Sequence, residues 1–485
     1  MHTLSERHPT LWTALLALVS IGTALLAGRY IAGAGMEGVG LLIALPIVLT
    51  IVCTIVARPR VGVSLLYHLS FTLFAIGRIL YTNIPIGLSI DGVMLLTLIG
   101  ALFNKKKNIG VFQSAVFFAT AIWFVFTVFE LFNPEARSKQ AWFFAARGVS
   151  IYMIQIVVIG LLLITERKDL YRFVNTWMAY SAFAALWAFK QQYIGLTTNE
   201  QRWMDEGGAQ THILFGNLRS FSIYSDAGQY GAAAAHASLF AMILAVETKN
   251  NLHRLKYIFI AVTSFWGYAL AGSRGPLIVF AGGMMAYLLL RRNLAVIAVG
   301  MVLAAGAYGF LKFTYIAQGN YQVQRMRSAL DPNDPSLQVR LANQKKLSGY
   351  MDSRPIGAGI GSGGEWGRRF SPGTFLAETA LDSWYVKIWV ETGVVGLSIH
   401  ILTLLMIAAA GYRNIIRLRD PVLASTMRGL FSGYIGILLA SYGNQILGQT
   451  PTSTVMYITI ATFHLCSRFD TKEESETAEE DEQAA

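Results

Sequence analysis

The chain has 485 residues, of which 54% are hydrophobic and 14% charged, and its mean hydropathy is +0.47. This composition is too apolar for a soluble globular protein, so we expect a polytopic membrane protein. The net charge of +11 then indicates membrane topology and anionic lipids or substrates, and the sequence shows no nucleic-acid-binding motif. Cys53 and Cys466 both lie in apolar runs, so neither a disulfide framework nor a metal cluster is expected.

Apolar segments of bilayer length predict an all-α polytopic protein with about 14 transmembrane helices. The predicted spans are residues 10–27, 39–57, 62–80, 88–104, 111–131, 148–164, 170–190, 227–246, 255–271, 275–290, 293–312, 385–410, 427–447 and 452–467. The first span has the length of a signal peptide. In a chain with so many later spans, a first membrane helix is the preferred interpretation.

Basic residues are concentrated in alternate connections between these spans. They are Arg58 and Arg60; Lys105, Lys106 and Lys107; Arg167, Lys168 and Arg172; Lys249, Arg254 and Lys256; Arg291 and Arg292; and Arg413, Arg417, Arg419 and Arg428. The positive-inside rule places these connections and both termini in the cytoplasm. The other connections then face outward, and two of them, 191–226 and 313–384, are long.

The predicted spans divide the chain into four parts. Residues 1–312 hold helices 1–11 and external loop 191–226, residues 313–384 form a large external loop, residues 385–467 hold helices 12–14, and residues 468–485 form a disordered acidic cytoplasmic tail. In the large loop, Asp334-Pro335-Ser336 predicts the start of a helix. We expect this helix to lie over the membrane mouth on an apolar stripe of Leu337, Leu341, Leu347 and Met351.

Ionisable residues near membrane depth lie mainly at the predicted external ends of helices. They are Arg78, Asp91, Glu130, Arg147, Lys190, Asp226, Arg274, Asp382, Lys387 and Glu391. Side chains that snorkel to the interface would give part of this pattern. The cytoplasmic ends carry mostly basic residues, however, whereas this set mixes both signs. A polar cavity of mixed charge, open to the outside, is therefore the preferred interpretation.

The stretch from Leu381 to Leu397 places a polar pair, Asp382-Ser383, at the mouth of an apolar helix. Charges at membrane depth are costly and usually mark function. We therefore expect Asp382 in an active site, with capping of the helix from about Trp384 as its structural alternative. Lys387 and Glu391 are spaced i,i+4, which favours a structural ion pair, and Glu391 is the second candidate for a base.

Two arginines lie where segments reach the predicted external interface. Arg274 occupies the tight turn Gly272-Ser273-Arg274-Gly275-Pro276, and Arg219 lies eight residues before a span, among serines. A guanidinium can bind phosphate in bidentate fashion and stays charged. For Arg274 the alternative is that it anchors the turn at the interface, and for Arg219 the alternative is capping and loop solvation.

The segment from Arg340 to Gly364 contains a glycine-rich turn without the strand context of a nucleotide-binding loop. Close approach of its backbone to a ligand remains a possible role. His212, His236 and His400 are isolated histidines, for which we expect structural roles.

Four motifs, in this order and spacing, resemble the O-antigen ligase and polymerase superfamily of bacterial cell-envelope glycosyltransferases. They are Arg219-Ser-Phe-Ser with Ser-Asp-Ala-Gly-Gln-Tyr-Gly231; Gly-Ser-Arg-Gly-Pro276; Arg340 with Pro355-Ile-Gly-Ala-Gly359; and Asp382-Ser-Trp-Tyr-Val-Lys with Val390-Glu-Thr-Gly-Val-Val-Gly-Leu397. The resemblance covers residues 215–400 by motif and the rest by hydropathy. It implies a GT-C-like membrane enzyme of the bacterial inner membrane.

The resemblance implies transfer of a glycan from undecaprenyl diphosphate to an acceptor hydroxyl on the external face, with inversion and without metal or nucleotide sugar. Arg219 and Arg274 match the arginines that hold the diphosphate, and Asp382 stands where many members, above all ligases, have the histidine of a His-Asn pair. We expect these three to be catalytic. Further substrate contacts are expected from Arg340, Arg354, Tyr385, Lys387 and Glu391.

The Asp-Ser pair favours a polymerase of exopolysaccharide type, whose acceptor is a second lipid-linked repeat unit. A ligase to a lipid or other acceptor, a flippase for an anionic lipid-linked glycan and a non-catalytic assembly partner are the alternatives. No inverted repeat supports the flippase. Expected partners are the bilayer, the lipid-linked oligosaccharide and flippase, chain-length or export proteins, with no nucleic acid.

The topology can be tested by single-cysteine labelling from outside the cell, after Cys53→Ala and Cys466→Ala. We expect Asn333→Cys, in the large external loop, to react with an impermeant maleimide, and Asn293→Cys, beside the cytoplasmic Arg291 and Arg292, to react only after permeabilisation. The reverse pattern would overturn both the topology and the external active site.

Overall fold

The computed structural model describes residues 28–29, 33, 43–80, 87–104 and 108–484, with side chains up to Asp470 apart from those of residues 294, 296 and 303. The predicted span 10–27 lies outside the described residues. Among these, almost all regular structure is helical, and the one sheet is a hairpin of β1 (Ile213–Leu214) and β2 (Asn217–Leu218).

The α-helices are α1 Ile43–Ala57, α2 Pro59–Leu80, α3 Gly87–Phe103, α4 Ala115–Phe129, α5 Lys139–Ala146, α6 Tyr152–Leu163, α7 Arg167–Tyr193, α8 Thr198–Trp203, α9 Ala209–His212, α10 Ala227–Glu247, α11 Asn251–Leu270, α12 Leu277–Arg291, α13 Leu294–Phe313, α14 Tyr321–Ser328, α15 Pro335–Met351, α16 Gly364–Phe370, α17 Phe375–Glu378, α18 Trp384–Ile415, α19 Pro421–Ala440 and α20 Thr452–Ala484. Short 3₁₀ turns occupy Ile109–Gln113 and Glu130–Phe132, and π turns occupy Arg147–Ile151 and Met204–Gly208.

Each predicted span within the described residues coincides with a helix, but 6 helical segments there are long and apolar enough to cross a membrane. They are Pro59–Leu80, Ala115–Phe132, Lys139–Leu163, Ala227–Glu247, Trp384–Ile415 and Pro421–Ala440. This supports an all-α integral membrane protein and does not support the count of fourteen spans. Some of the remaining helices, such as α3 with 17 residues and α12 with 15, are short for a bilayer.

Three helices depart from their predicted bounds. Helix α19 replaces the predicted span 427–447 and starts earlier, because Asp420 caps its first turn by accepting the Leu423 N–H and Pro421 follows. The segment before α6 is helical from Lys139, since the π turn at Arg147–Ile151 continues the helix. Helix α20 continues to Ala484, where the sequence predicts disorder, and the Glu and Ala of that tail favour helix.

The core is built around α10, whose residues are nearly all buried. Its run of alanines from Ala232 to Ala235 lets neighbouring helices approach closely. Helices α12 and α19 are in backbone contact at Gly283. A Cβ built there would lie only 2.7 Å from the Ser432 carbonyl oxygen. The tight bundle of α10, α11, α12 and α19 therefore depends on small residues.

Helix α15 begins where the sequence predicts, since Asp334 accepts the Leu337 N–H at 3.1 Å and Pro335 is its first residue. The predicted stripe is only half buried. Leu347 and Met351 pack with Leu376, Leu381 and Val390, whereas Leu337 and Leu341 are exposed. The carboxyl-terminal half of α15 therefore docks on the start of α18.

A glycine-rich loop, residues 355–363, enters a break in α18. The break is at Gly393, whose φ is 68°. Across it, the Val395 N–H donates to the Pro355 carbonyl at 3.1 Å and the Ala358 N–H donates to the Val390 carbonyl at 3.0 Å. A Cβ built at Gly393 would lie 2.0 Å from the Pro355 oxygen, so only glycine fits there.

Substitution of Gly393 tests this insertion. We expect Gly393→Ala to lower stability by about 2–5 kcal/mol, because it adds backbone strain to a steric clash. Thermal unfolding in detergent should show the loss as a lower Tm. The matched control is Gly349→Ala in α15, where an added Cβ meets nothing within 4 Å. Equal Tm values for the two variants would contradict the account of the break.

Candidate functional site

A cavity of about 1040 Å³ lies between the end of α2, the π turn at Arg147–Ile151, helix α16 and the start of α18. Its aromatic walls are Phe144, Tyr152, Trp203, Trp366 and Trp384, and its ionisable residues are Arg78, Arg147, Glu206, Glu365, Arg368, Asp382 and Lys387. Aromatic walls with a few polar groups are typical of ligand sites. Mixed charge was predicted for such a cavity, and its orientation across the membrane stays a prediction.

Three of the ionisable residues in the cavity have charged partners. Arg147 donates to Asp91 at 2.7 Å, and the Tyr152 hydroxyl donates to the same carboxylate at 2.6 Å. Glu206 pairs with Arg202 at 3.3 Å, and Asp382 pairs with Arg340. These pairs fix the geometry of the walls and remove much of the acidic charge.

Arg78 is buried at the end of α2 and is held by backbone oxygens. Its Nη1 donates to the Tyr224 carbonyl at 2.7 Å and its Nη2 to the Ser222 carbonyl at 2.8 Å. Its guanidinium also lies over the rings of Trp203 and Phe221, with centroids 5.5 and 4.8 Å away. No carboxylate forms a direct ion pair with Arg78 in the described part of the chain, but Glu200 and Asp226 lie close enough to act on its charge.

Arg368 and Lys387 provide two further cations at the cavity wall. Neither forms an ion pair with any residue that the structure describes. The Lys387 amine lies 5.8 Å from the centre of the Trp384 ring. Because both side chains are only partly covered, they can reach a bound anion by a change of rotamer.

Asp382 stands directly before α18 and lines the cavity. Ser383, not Asp382, caps the helix, because its hydroxyl accepts the Val386 N–H. The capping alternative for Asp382 is therefore wrong. The carboxylate is about half exposed (48%), and its Oδ2 lies 3.3 Å from Nε of Arg340. It is thus accessible from the cavity and oriented by a single arginine.

Arg219 and Arg274 do not line the cavity but form a separate arginine cluster with Arg325, around the turn at Gly272. Arg219 donates to the carbonyls of Ala271 and Thr211 at 3.2 and 2.9 Å. Arg325 donates to the Gly272 carbonyl at 3.1 Å. The three cations therefore share one turn.

Asp334 is the carboxylate that forms a direct ion pair with this arginine cluster. Arg274 pairs with it and donates to the Ser328 hydroxyl at 3.3 Å. Burial would raise the pKa of Asp334, but the hydrogen bonds from Arg274 and the Leu337 N–H outweigh burial and lower it. Burial and the nearby Arg325 lower the pKa of Arg219. Asp226 also acts on Arg219, so three arginines face two aspartates, and a bound anion would neutralise the remaining positive charge.

Arg340 connects the arginine cluster to the cavity. A Cβ built at Gly443 would lie 3.9 Å from Nη1 of Arg340 and 3.7 Å from Cα of Gly275, the neighbour of Arg274. Arg340 also contacts Asp382 at 3.3 Å. Arg340 thus contacts Asp382 at the edge of the cavity and lies near Gly275, in the turn that carries Arg274.

Lys387 and Glu391 do not form the direct ion pair that their spacing predicts, although the Lys387 charge acts on Glu391 at longer range. Glu391 is fully buried where the glycine-rich loop enters α18, and the backbone N–H groups of Gly361 and Gly363 in that loop are directed at its carboxylate. The i,i+4 spacing alone does not bring Lys387 and Glu391 into contact. The glycine-rich loop covers Glu391, whereas Lys387 lines the cavity. Glu391 is not exposed to a substrate in the cavity.

Two other predicted substrate contacts have structural partners and do not line the cavity. The Tyr385 hydroxyl donates to the Leu438 carbonyl at 2.8 Å. Arg354 pairs with Glu135 at 3.3 Å and lies over the ring of Tyr350. Both side chains fix the position of segments near the site.

The histidines with resolved partners have structural contacts. His212 accepts the Ala227 N–H at Nε2, 3.2 Å away, and burial lowers its pKa. His400 accepts the Trp384 indole N–H at 3.0 Å. Within the described residues, no group of three His, Cys, Asp or Glu side chains is placed to hold a metal ion.

Sequence reasoning did not assign Arg325 or Arg368 to the site, and it named Arg78 only among the ionisable residues expected around a polar cavity. Arg78 was marked as an ionisable residue at a helix end, but only the packing of α2 against residues 222–224 brings it to the cavity. The basic pair of α14, Arg325 and Arg327, was a usable signal for the arginine cluster. No local pattern marks Arg368.

A protein-family model described as O-antigen ligase, Wzy_C, matches residues 259–401. No curated protein matches the chain. The matched region contains Arg274, Arg340, Asp382 and Lys387, whereas Arg219 and Arg78 precede it. The chain is an all-α membrane protein, and the match of residues 259–401 to the O-antigen ligase model is consistent with the O-antigen ligase and polymerase superfamily.

Proposed function

We propose that the protein polymerises undecaprenyl-diphosphate-linked oligosaccharide repeat units into a surface polysaccharide or exopolysaccharide. The observation that carries the proposal is the position of Asp382 between an aromatic cavity and an arginine cluster. Such a position suits a base that must meet an acceptor on one side and a donor on the other. The O-antigen ligase domain supports the reaction class.

In the proposed reaction, an acceptor hydroxyl in the cavity attacks the anomeric carbon of the donor sugar. A new carbon–oxygen bond forms as the bond to the lipid diphosphate breaks, and the diphosphate leaves with that electron pair. The hydroxyl proton passes to the carboxylate of Asp382, whose orientation is set by Arg340. Attack opposite the leaving group inverts the anomeric centre.

The arginine cluster would hold the departing diphosphate. Fixed guanidiniums stabilise negative charge as it develops, and in a partly buried site they do so more strongly than in water. Arg219 and Arg325 already have their orientation set by backbone carbonyls. Arg274 would exchange part of its contact with Asp334 for the phosphate. No metal or nucleotide is assigned a step.

We place this chemistry on the external face of the bacterial inner membrane, with both termini in the cytoplasm and with flippase, chain-length or export proteins as partners. A ligase, which moves the glycan to another acceptor, is the second candidate, because the matched domain carries that description. Asp382-Ser383 in place of a His-Asn pair favours the polymerase. The chemical identity of the acceptor separates the two.

The role of Arg274 can be separated from its ion pair with Asp334. We expect Arg274→Lys and Arg274→Gln to lose at least tenfold in elongation rate of a lipid-linked repeat unit, because lysine lacks the fork geometry. Asp334→Asn removes the same ion pair but leaves the guanidinium for phosphate, so it should retain most activity. If Asp334→Asn loses as much activity as Arg274→Gln, the ion pair is structural and the assignment to the diphosphate is wrong.

Asp382→Asn tests the proposed base. We expect a folded protein that still binds the lipid-linked substrate but elongates it about 10²–10⁴-fold more slowly, the usual contribution of a general base. The neighbouring Ser383→Ala removes the helix cap, costs about 1 kcal/mol of stability and keeps activity. Glu391→Gln should stay active if it folds, since Glu391 does not face the cavity. Normal elongation by Asp382→Asn would refute the assignment.

A further inference from the structure

We propose that the cavity contains a second lipid-diphosphate site, which binds the acceptor substrate through Arg78, Arg368 and Lys387. This inference rests on the proposed function, because a polymerase joins two lipid-linked glycans. The donor diphosphate would lie at Arg219, Arg274 and Arg325, on the other side of Asp382. The two sites differ in their residues and in the part of the surface that they reach.

Counted over its lining residues alone, the cavity wall has a positive excess. Outside the lining, Glu200 and Asp226 act on Arg78, and Glu391 acts on Lys387. Arg147, Glu206 and Asp382 are each paired with a residue of opposite charge. After these pairs, the remaining ionisable lining residues are Arg78, Arg368, Lys387 and Glu365. Three cations against one carboxylate give a net charge of +2 (3 − 1). A lipid diphosphate joined to a sugar carries one negative charge on each phosphate and would balance this excess.

Arg78 has the geometry of an anion-binding residue that is fixed before its ligand arrives. Two of its N–H groups donate to the carbonyls of Tyr224 and Ser222. A guanidinium has five N–H donors, so the remaining ones are available for an oxygen ligand. The aromatic faces of Trp203 and Phe221 restrict its motion, which lowers the entropic cost of binding.

A lipid tail can leave the cavity at the ends of α2 and α3. Leu73, Phe74 and Ile90 of these helices line the cavity. Ile79, Leu80 and Leu88 continue the apolar surface and are exposed. In a membrane protein, exposed apolar side chains at this place face lipid. A diphosphate at Arg78 would therefore lie next to an exit for its isoprenoid chain.

The arginine cluster has its own apolar surface on different helices. Phe313 ends α13, Tyr315 and Ile316 follow it, and all three are exposed. They lie beside α14, because Arg327 of that helix donates to the Ile316 carbonyl at 2.8 Å and Arg325 belongs to the same helix. Two lipid substrates could therefore approach Asp382 from separate sides without competing for one groove.

The number of undecaprenyl diphosphate molecules bound per protein tests the proposal. We expect native mass spectrometry of the full-length protein in detergent to show two bound lipids. The double variant Arg368→Gln/Lys387→Gln should bind one, with the affinity of the lost site reduced by about tenfold or more. Arg219→Gln/Arg274→Gln should also bind one, and the combination of all four should bind none. Because Arg368 and Lys387 are both partly exposed, the double variant Arg368→Gln/Lys387→Gln should fold.

The control variant is Lys345→Gln/Lys346→Gln, which removes two exposed cations of α15 outside the cavity lining and should still bind two lipids. Undecaprenol, which lacks the diphosphate, should not occupy either site. A single bound lipid in the wild-type protein, or two in Arg368→Gln/Lys387→Gln, would overturn the second site. Elongation is measured separately: two bound lipids without elongation would refute the proposed function and leave the second site intact.

Discussion

The contact between Arg340 and Asp382, 3.3 Å long, joins helix α15 to the residue that precedes the cap of α18. It holds the carboxylate at the boundary between the aromatic cavity and the arginine cluster. This position depends on the docking of α15, whose Leu347 packs against Leu381 and Val390. A shift of α15 would therefore move the arginine, the carboxylate and the boundary between the two basic regions together.

Backbone hydrogen bonds across the break in α18 stabilise this arrangement. The loop of residues 355–363 replaces the interrupted helical hydrogen bonds through Pro355 and Ala358, and Gly393 permits the required backbone conformation. The loop also buries Glu391, so the charged side chains that line the cavity here are Asp382, just before α18, and Lys387, in its first turn. The backbone contacts between this loop and α18 therefore determine which acidic residue can reach a substrate.

Local sequence signals predicted the features that depend only on neighbouring residues in the chain. The start of α15 at Asp334 and Pro335 follows from capping chemistry, and the position of Asp382 at a helix mouth follows from the change from polar to apolar residues. The pairing of Lys387 with Glu391 failed because a loop distant in sequence covers Glu391. Arg78 could not be assigned from its helix alone, since residues 222–224 orient it. Tertiary packing supplied these missing parts of the site.

The central claim is that this protein joins two lipid-linked glycans by itself. The direct measurement is a reaction of the purified, reconstituted protein with a lipid-linked oligosaccharide repeat unit, without nucleotide sugar and with EDTA present. The account predicts a ladder of lipid-linked products that grow by whole repeat units. Absence of elongation, or transfer only when a different acceptor is supplied, would contradict it.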